Sequence, residues 1–201
     1  MPLTTTAKNQ ALDAILRGVV PPNPVTHVGA FTSQTGKAVT ATTGGVFTST
    51  AHGFAAGDLV VFSGLTGGTG LRAGYPYFVI ATNLAANTFS VSDVPGGGIV
   101  TMTSALTAGT VNRLVELSGG SPAYARKAIA FAAAASGLGD DSTNGAIIDV
   151  PGGTSVDWLG LFSAVTAGVL VALDQVTTET FAAQGTYTVT DAKVDAMLAD
   201  A

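Results

Sequence analysis

From Val25 onward, runs of Val, Thr, Phe and Tyr a few residues long alternate with Gly, Asn, Asp and Pro. Branched and aromatic side chains suit a pleated, half-buried surface, while the punctuating residues supply the backbone angles of turns. That rhythm leaves no room for a helical bundle and predicts a mainly β protein. It places strands at Thr26–Thr32, Val46–Thr50, Asp58–Ser63, Tyr77–Thr82, Thr88–Val91 and Ile99–Thr103. Further strands follow at Ala125–Phe131, Ala146–Asp149, Ser155–Phe162, Val169–Leu173 and Gly185–Thr190. The Ala132–Ala135 run favours helix by propensity, but Gly137 and Gly139 cut it short, so it extends a strand or makes one turn.

Only the start of the chain has a helical period. Thr4, Thr5 and Thr6 offer N-cap hydroxyls, and Leu12, Ile15, Leu16 and Val19 follow at i, i+3, i+4 and i+7. Gly18 and the run Pro21-Pro22-Asn23-Pro24 stop the helix. A second short helix is expected at Asp191–Leu198, with Val194, Met197 and Leu198 on one face.

Two features speak to organisation. Val28-Gly29-Ala30-Phe31-Thr32 is echoed by Leu159-Gly160-Leu161-Phe162-Ser163. Such strands can be sheet neighbours with Phe31 and Phe162 in one core, and chance similarity over five residues is the alternative. Residues 40–110 form a compact run of short strands between two Thr/Ala/Gly-rich stretches, Ala38–Gly45 and Thr103–Thr110. Stretches of that kind suit surface crossings where insertions are tolerated. The expected layout is an outer β domain, 1–37 plus 111–201, carrying an inserted β module at 38–110.

Charge is scarce: 10% of residues are Asp, Glu, Lys or Arg, against about 25% in an average soluble domain. Mean hydropathy is +0.46. Such a surface belongs to a membrane protein or to a subunit covered by its neighbours. A spanning helix needs about 20 consecutive apolar residues. Ile129–Ala135 is too short, and Trp158–Leu173 is broken by Ser163, Thr166 and Gly168. Thr4–Gln10 is polar where the apolar core of a secretion signal would begin, so a soluble chain not secreted by that route is expected. With no cysteine, disulfides and thiolate metal sites are excluded. The net charge is −5 and the eight basic residues are scattered, which argues against nucleic acid as a partner.

Near-motifs for chemistry fail on inspection. Around Gly36-Lys37, Phe31 occupies the first glycine position of a phosphate loop and Ala38 replaces the magnesium-binding hydroxyl. Gly68–Ala73 matches a dinucleotide fingerprint formally, but Gly74-Tyr75-Pro76 stands where the helix should start. Asp140-Asp141-Ser142-Thr143-Asn144-Gly145 resembles half a calcium loop, with Pro151 where the bidentate Glu should fall. His27 and His52 lie in no nucleophile motif. Asp140 with Asp141, or Asp174 with Glu179, are the densest carboxylate pairs, and read as solvated turn residues. The chain is expected to have no catalytic residue and no cofactor.

The segment Glu116-Leu117-Ser118-Gly119-Gly120-Ser121-Pro122-Ala123-Tyr124-Ala125-Arg126-Lys127-Ala128-Ile129 resembles the signature of small virion proteins from actinobacterial phages, the tail fibre or minor tail protein family. Other landmarks stand in order: the helix at Leu3–Leu16, then Val25–Thr32, Val150–Phe162 and Thr180–Thr190. Together they cover about 60% of the chain. The sequence departs from the family by its insertion, which is itself similar to a phage β-barrel repeat. That likeness rests on Phe47-Thr48, His52-Gly53-Phe54, Gly57-Asp58, Val60-Val61-Phe62, Gly70–Ile80 and Asn87–Val91.

The resemblance implies a β-sandwich, jelly-roll or immunoglobulin-like, with a short N-terminal helix and an inserted small β-barrel. It implies a structural protein on the exterior of tail or capsid. The partners would be copies of itself, as a homotrimer, and other phage structural proteins, with a host surface glycan as a further one. A minor tail or fibre-like role comes first, a capsid decoration role second. A carbohydrate-binding module with Tyr75, Tyr77 and Phe78 as stacking platform is a rival from another class. Candidate interface residues are Leu12, Ile15, Leu16, Tyr124, Arg126 and Trp158. For Arg126 the alternatives are an ion pair with a carboxylate such as Asp149 or Asp157, or a contact between subunits. For Trp158 they are a core anchor or an interface hot spot.

Overall fold

The computed structural model describes residues 3–131, 138–139, 145–190 and 196–197. In chain order the elements are α1 (Thr5–Arg17), β1 (His27–Ser33), β2 (Lys37–Ala38), β3 (Thr40–Ala41), β4 (Phe47–Thr48) and β5 (Leu59–Gly67). Next come β6 (Tyr77–Ile80), β7 (Thr88–Ser92), β8 (Leu106–Glu116), β9 (Lys127–Ala128) and β10 (Leu138–Gly139). The last are β11 (Ala146–Val150), β12 (Thr154–Phe162), β13 (Leu170–Phe181), β14 (Gly185–Val189) and β15 (Ala196–Met197). The protein is mainly β with one N-terminal helix, and among the described residues the strand pairs β1–β12, β12–β13, β11–β14 and those from β3 to β8 around the second unit are antiparallel. It divides into two compact units, Met1–Thr32 with Glu116–Ala201, and Ser33–Val115.

In the first unit β1 lies beside β12 and β12 beside β13. The two echoed segments are direct neighbours, with Val28 opposite Leu161, Gly29 opposite Gly160 and Ala30 opposite Leu159. Side chains alternate across a strand, so Val28, Ala30, Leu159 and Leu161 share one face. They pack with Ile148, Val150, Tyr187 and Val189 from the separate β11–β14 pair, and this is the unit's core. Phe31 and Phe162 stack at 5.9 Å, but on the opposite face of the sheet, outside that core.

Helix α1 hangs from β13 by its N-terminus. Thr4 is the N-cap: its hydroxyl accepts from the Ala7 N–H and donates to the Leu170 carbonyl. The Thr4 N–H donates to the Val171 carbonyl at 2.7 Å, and Leu3 bridges to Ala172. Gly18, at φ +67°, closes the helix in the left-handed conformation that a glycine adopts without Cβ strain. Only Ala7 of the helix is buried.

In the second unit the pairing order runs β8, β3, β4, β7, β6, β5, and β5 returns to β8, a partial ring. Its inside is aromatic: Phe47 stacks on Phe62 at 5.0 Å and on Phe89 at 5.2 Å, with Tyr77 edge-on to Phe62. Val60, Val79, Val91, Leu106 and Val111 complete the core.

Several expectations need correction. The Thr103–Thr110 stretch is more than a linker: from Leu106 it belongs to β8, eleven residues long, with Leu106, Val111 and Leu114 buried. At Gly109 a Cβ would lie 3.1 Å from the Leu65 side chain. Ala38–Gly45 likewise contains β3 and part of β2. Ile99–Thr103 is not a strand, because its N–H groups go to three separate places: Val100 to Val91, Met102 to Thr43 and Thr103 to Thr69. The Ala125–Phe131 strand shrinks to β9. Beside it the Ala30 N–H is taken by the Tyr124 hydroxyl at 3.0 Å instead of a backbone carbonyl. β13 extends eight residues past the predicted Leu173, to Phe181. Ala196–Met197 pairs as a strand with β10, where a helix over Asp191–Leu198 was expected; the rest of that segment lies outside the described residues, as do Ala132–Ala135 and Asp140–Asn144.

The Leu117 N–H donates to the Ala30 carbonyl at 3.0 Å, so the points where the first unit is interrupted and resumed lie side by side. Replacing Ser33–Val115 with a short Gly/Ser linker therefore closes a short loop, whose entropy differs from that of the longer excursion by about 1 kcal/mol. We expect the shortened chain to unfold cooperatively in urea. Loss of any cooperative transition would show that the first unit is not self-sufficient.

Candidate functional site

Because Gly29 and Gly160 face each other on the outer face of the β1–β12 pair, that face carries a shallow trough. A Cβ on Gly29 would lie 2.8 Å from the Tyr124 hydroxyl and 3.0 Å from the Phe162 ring. One on Gly160 would lie 2.7 Å from the Phe31 ring. The trough is filled by Phe31, Phe162, Tyr124 and Arg126.

Arg126 makes the densest polar contacts of this layer. Its Nε and Nη2 donate to the two oxygens of Glu116, both at 2.7 Å, a fork-on-fork ion pair. Nη1 donates to the Ala164 carbonyl at 3.1 Å, and the guanidinium carbon sits 3.4 Å above the Phe162 ring. Tyr124 completes the group: its hydroxyl donates to Glu116 Oε1 at 2.9 Å while accepting from the Ala30 N–H. The preceding loop is tight, with the Tyr124 N–H on the Gly119 carbonyl at 2.7 Å. Gln184 holds it from outside, accepting from the Ser121 N–H and donating to the Pro122 carbonyl.

Of the two carboxylates expected to pair with Arg126, neither does. Asp149 takes Lys127 at 2.6 Å. Asp157, buried, accepts from the Ser155 and Thr32 hydroxyls. The partner is Glu116, the first residue of the signature segment. The alternation that puts Tyr124 and Arg126 on one face was the signal available for it. Trp158 is 5% exposed and stands opposite Phe31, so its indole is an anchor within the chain. Leu12, Ile15 and Leu16 are instead 51%, 70% and 76% exposed.

Beside the Arg126 group lies an open depression of about 430 Å³, lined by Glu116, Ser118, Tyr124, Arg126, Val165 and Thr166. Its charged groups are already engaged with each other, so the arrangement clamps the 116–126 segment to the sheet. The second unit has a larger groove, about 690 Å³, lined by Gly57, Phe78, Ile80, Thr82, Pro95 and Gly97 among others. Tyr75 and Tyr77 do not form a stacking platform there: they are 3% and 2% exposed, packed on each other in the core. Asp174 and Glu179 stand at separate rungs of β13, opposite Leu159 and Val156. Among the described residues no group of three or more His, Asp or Glu is placed to hold a metal ion. No family model, curated protein or solved structure matches this chain.

Two predictions follow from the clamp. Arg126→Ala strands a half-buried Glu116 charge and bares the Phe162 face; we expect a loss of about 2–3 kcal/mol in urea unfolding. Arg126→Lys recovers little of it, because an ammonium cannot make the forked contact. The second concerns alkali. Burial, reinforced by the Glu116 charge, raises Tyr124 well above the usual tyrosine range, and burial raises Tyr77 as well. The unfolded chain releases these protons near the ordinary value of 10.0, before the folded chain does. The stabilisation is thus complete below pH about 10 and declines as pH rises beyond it. The fall in urea midpoint between pH about 9 and 11 should be smaller in Tyr124→Phe, which keeps only the Tyr77 share.

Proposed function

We propose that this chain is a non-catalytic structural subunit on the exterior of a tailed bacteriophage particle, a minor tail or fibre-like protein, assembled as a homotrimer. The observation that carries the reading is the uncovered apolar side of α1: Leu12, Ile15 and Leu16 are exposed, as are Val19 and Val20 just beyond the helix. A helix of 13 residues is marginal in water on its own, and this one is tied to β13 at its N-terminal end, around Thr4. Covering that stripe with equivalent stripes of other copies supplies the missing contact, and symmetric association is the common solution for a self-complementary patch. The low charge of the chain supports the same reading, since few ions must be desolvated when copies meet.

In finer terms, we read the first unit as a β-sandwich, its β1–β12–β13 sheet packed on the β11–β14 pair. We read the second unit as a small β-barrel, inserted and displayed by the first. The placement on a phage particle rests on the likeness of Glu116–Ile129 and the accompanying segments to actinobacterial phage virion proteins. Under this reading Tyr124, Arg126 and Trp158 hold the subunit together, while α1 makes the contact between copies.

Association through apolar burial should persist in molar salt, which screens charge without weakening burial. Leu12→Asp with Leu16→Asp should yield folded monomers by sedimentation, where the unaltered protein sediments as a trimer. Loss of the fold in the double variant would instead make the stripe an internal cap. An unaltered protein that is monomeric in solution and absent from purified particles would overturn the reading.

A further inference from the structure

His52 is 6% exposed and wedged between Phe54 and Phe89, with ring centroids at 4.8 and 5.1 Å. Both of its nitrogens are engaged, and the geometry dictates which carries the proton. The Phe54 backbone N–H points at Nδ1 from 2.9 Å. An N–H can only donate, so Nδ1 must present its lone pair. The proton therefore sits on Nε2, which donates to the Thr88 carbonyl at 3.1 Å. The imidazole thus spans the 49–58 segment and β7, tying a turn to the strand that carries Phe89. The same junction is reinforced by the Ser49 N–H on the Asn87 carbonyl and the Ala51 N–H on the Asn87 side chain.

We propose that His52 makes this corner of the second unit acid-labile: the closed turn requires an imidazole that accepts at Nδ1, and proton uptake there releases it. An imidazolium carries N–H on both sides. Its Nδ1–H would be set against the Phe54 N–H, two donors at hydrogen-bond distance with no acceptor between them. It would also place a charge among aromatic rings without a counter-ion. β4, β5 and β7 carry no ionisable side chain, and the 49–58 segment carries only Asp58 besides His52. Asp58 is committed elsewhere, accepting from the Ala55 N–H at 2.8 Å and pairing with Arg113 at 3.1 Å. The other histidine is built differently: Thr26 Oγ1 spends its proton on the Ser163 carbonyl, so His27 Nδ1 donates to that oxygen. A doubly protonated His27 keeps this bond, and a doubly protonated His52 loses its own.

The closed turn keeps the bond from the Phe54 N–H only while Nδ1 is unprotonated, and a ring protonated there loses it. The first unit, where Leu159 marks the core, is not involved. The proposal is independent of which particle the protein serves.

Amide hydrogen exchange by NMR on the full chain tests it. Between pH about 7.5 and 5.5, with intrinsic exchange divided out, protection of the Phe54 N–H should drop by about tenfold or more. Leu159 protection should stay level. In His52→Asn, whose side-chain carbonyl supplies an acceptor that does not titrate, Phe54 protection should hold within about twofold. Protection that is constant in the unaltered protein, or that falls equally in His52→Asn, would overturn the proposal. If His52→Asn does not fold, the imidazole ¹⁵N shifts of the unaltered protein decide. Nδ1 must gain its proton in step with the loss of Phe54 protection, and opening without protonation at Nδ1 would refute the idea.

Discussion

Where Gly29 and Gly160 meet across β1 and β12, two absent Cβ atoms allow a second layer of side chains to lie flat against the sheet. Tyr124, Arg126, Phe31 and Phe162 occupy that space, and the consequences spread through the first unit. The Arg126 guanidinium can rest on the Phe162 ring only because nothing beneath lifts the ring away. Resting there, it reaches both oxygens of Glu116 and the Ala164 carbonyl together. Glu116 in turn accepts from Tyr124, whose hydroxyl caps the Ala30 N–H. A chain of polar contacts thus runs from the backbone of β1 through three side chains to the loop after β12, over a floor of bare backbone. With a methyl at either glycine, several of these contacts would have to lengthen together, since side chains in a close-packed layer have little free space.

The scarcity of charge gives that network its weight. With so few ionic groups, three short pairs stand out: Arg126 with Glu116, Lys127 with Asp149 and Arg113 with Asp58. Each tethers a loop or strand end to a neighbouring element. The remaining surface is weakly solvated by comparison, which lowers the cost of covering it.

The positions of strands were legible wherever branched and aromatic residues run together between turn residues, as at Val28–Phe31 or Val60–Phe62. The β1–β12 pairing was legible too, because two strands of similar sequence carry glycine at matching places. β8 was not. Its run Leu106-Thr107-Ala108-Gly109-Thr110 resembles a linker, and only its pairing with β5 shows it to be strand. Ile99–Thr103 misled in the opposite direction: its composition is that of a strand, yet its hydrogen bonds cross from element to element. At the Arg126 site, the shared face of Tyr124 and Arg126 followed from simple alternation. The identity of the carboxylate did not, since Glu116, Asp149 and Asp157 are equally plausible until β1 and β12 are set in register. For His52 the sequence showed a histidine beside a glycine, and only the geometry shows that it must accept from Phe54.

The hydrogen bond between Ala30 and Leu117 has an implication for ancestry. Where a chain leaves a sheet and re-enters it at neighbouring positions, the intervening segment can be exchanged, lengthened or removed in one recombination event. Such a junction behaves as a socket. Lineages sharing the first unit can differ in what they carry at this point, and selection on the intervening segment can proceed while the first unit stays constant.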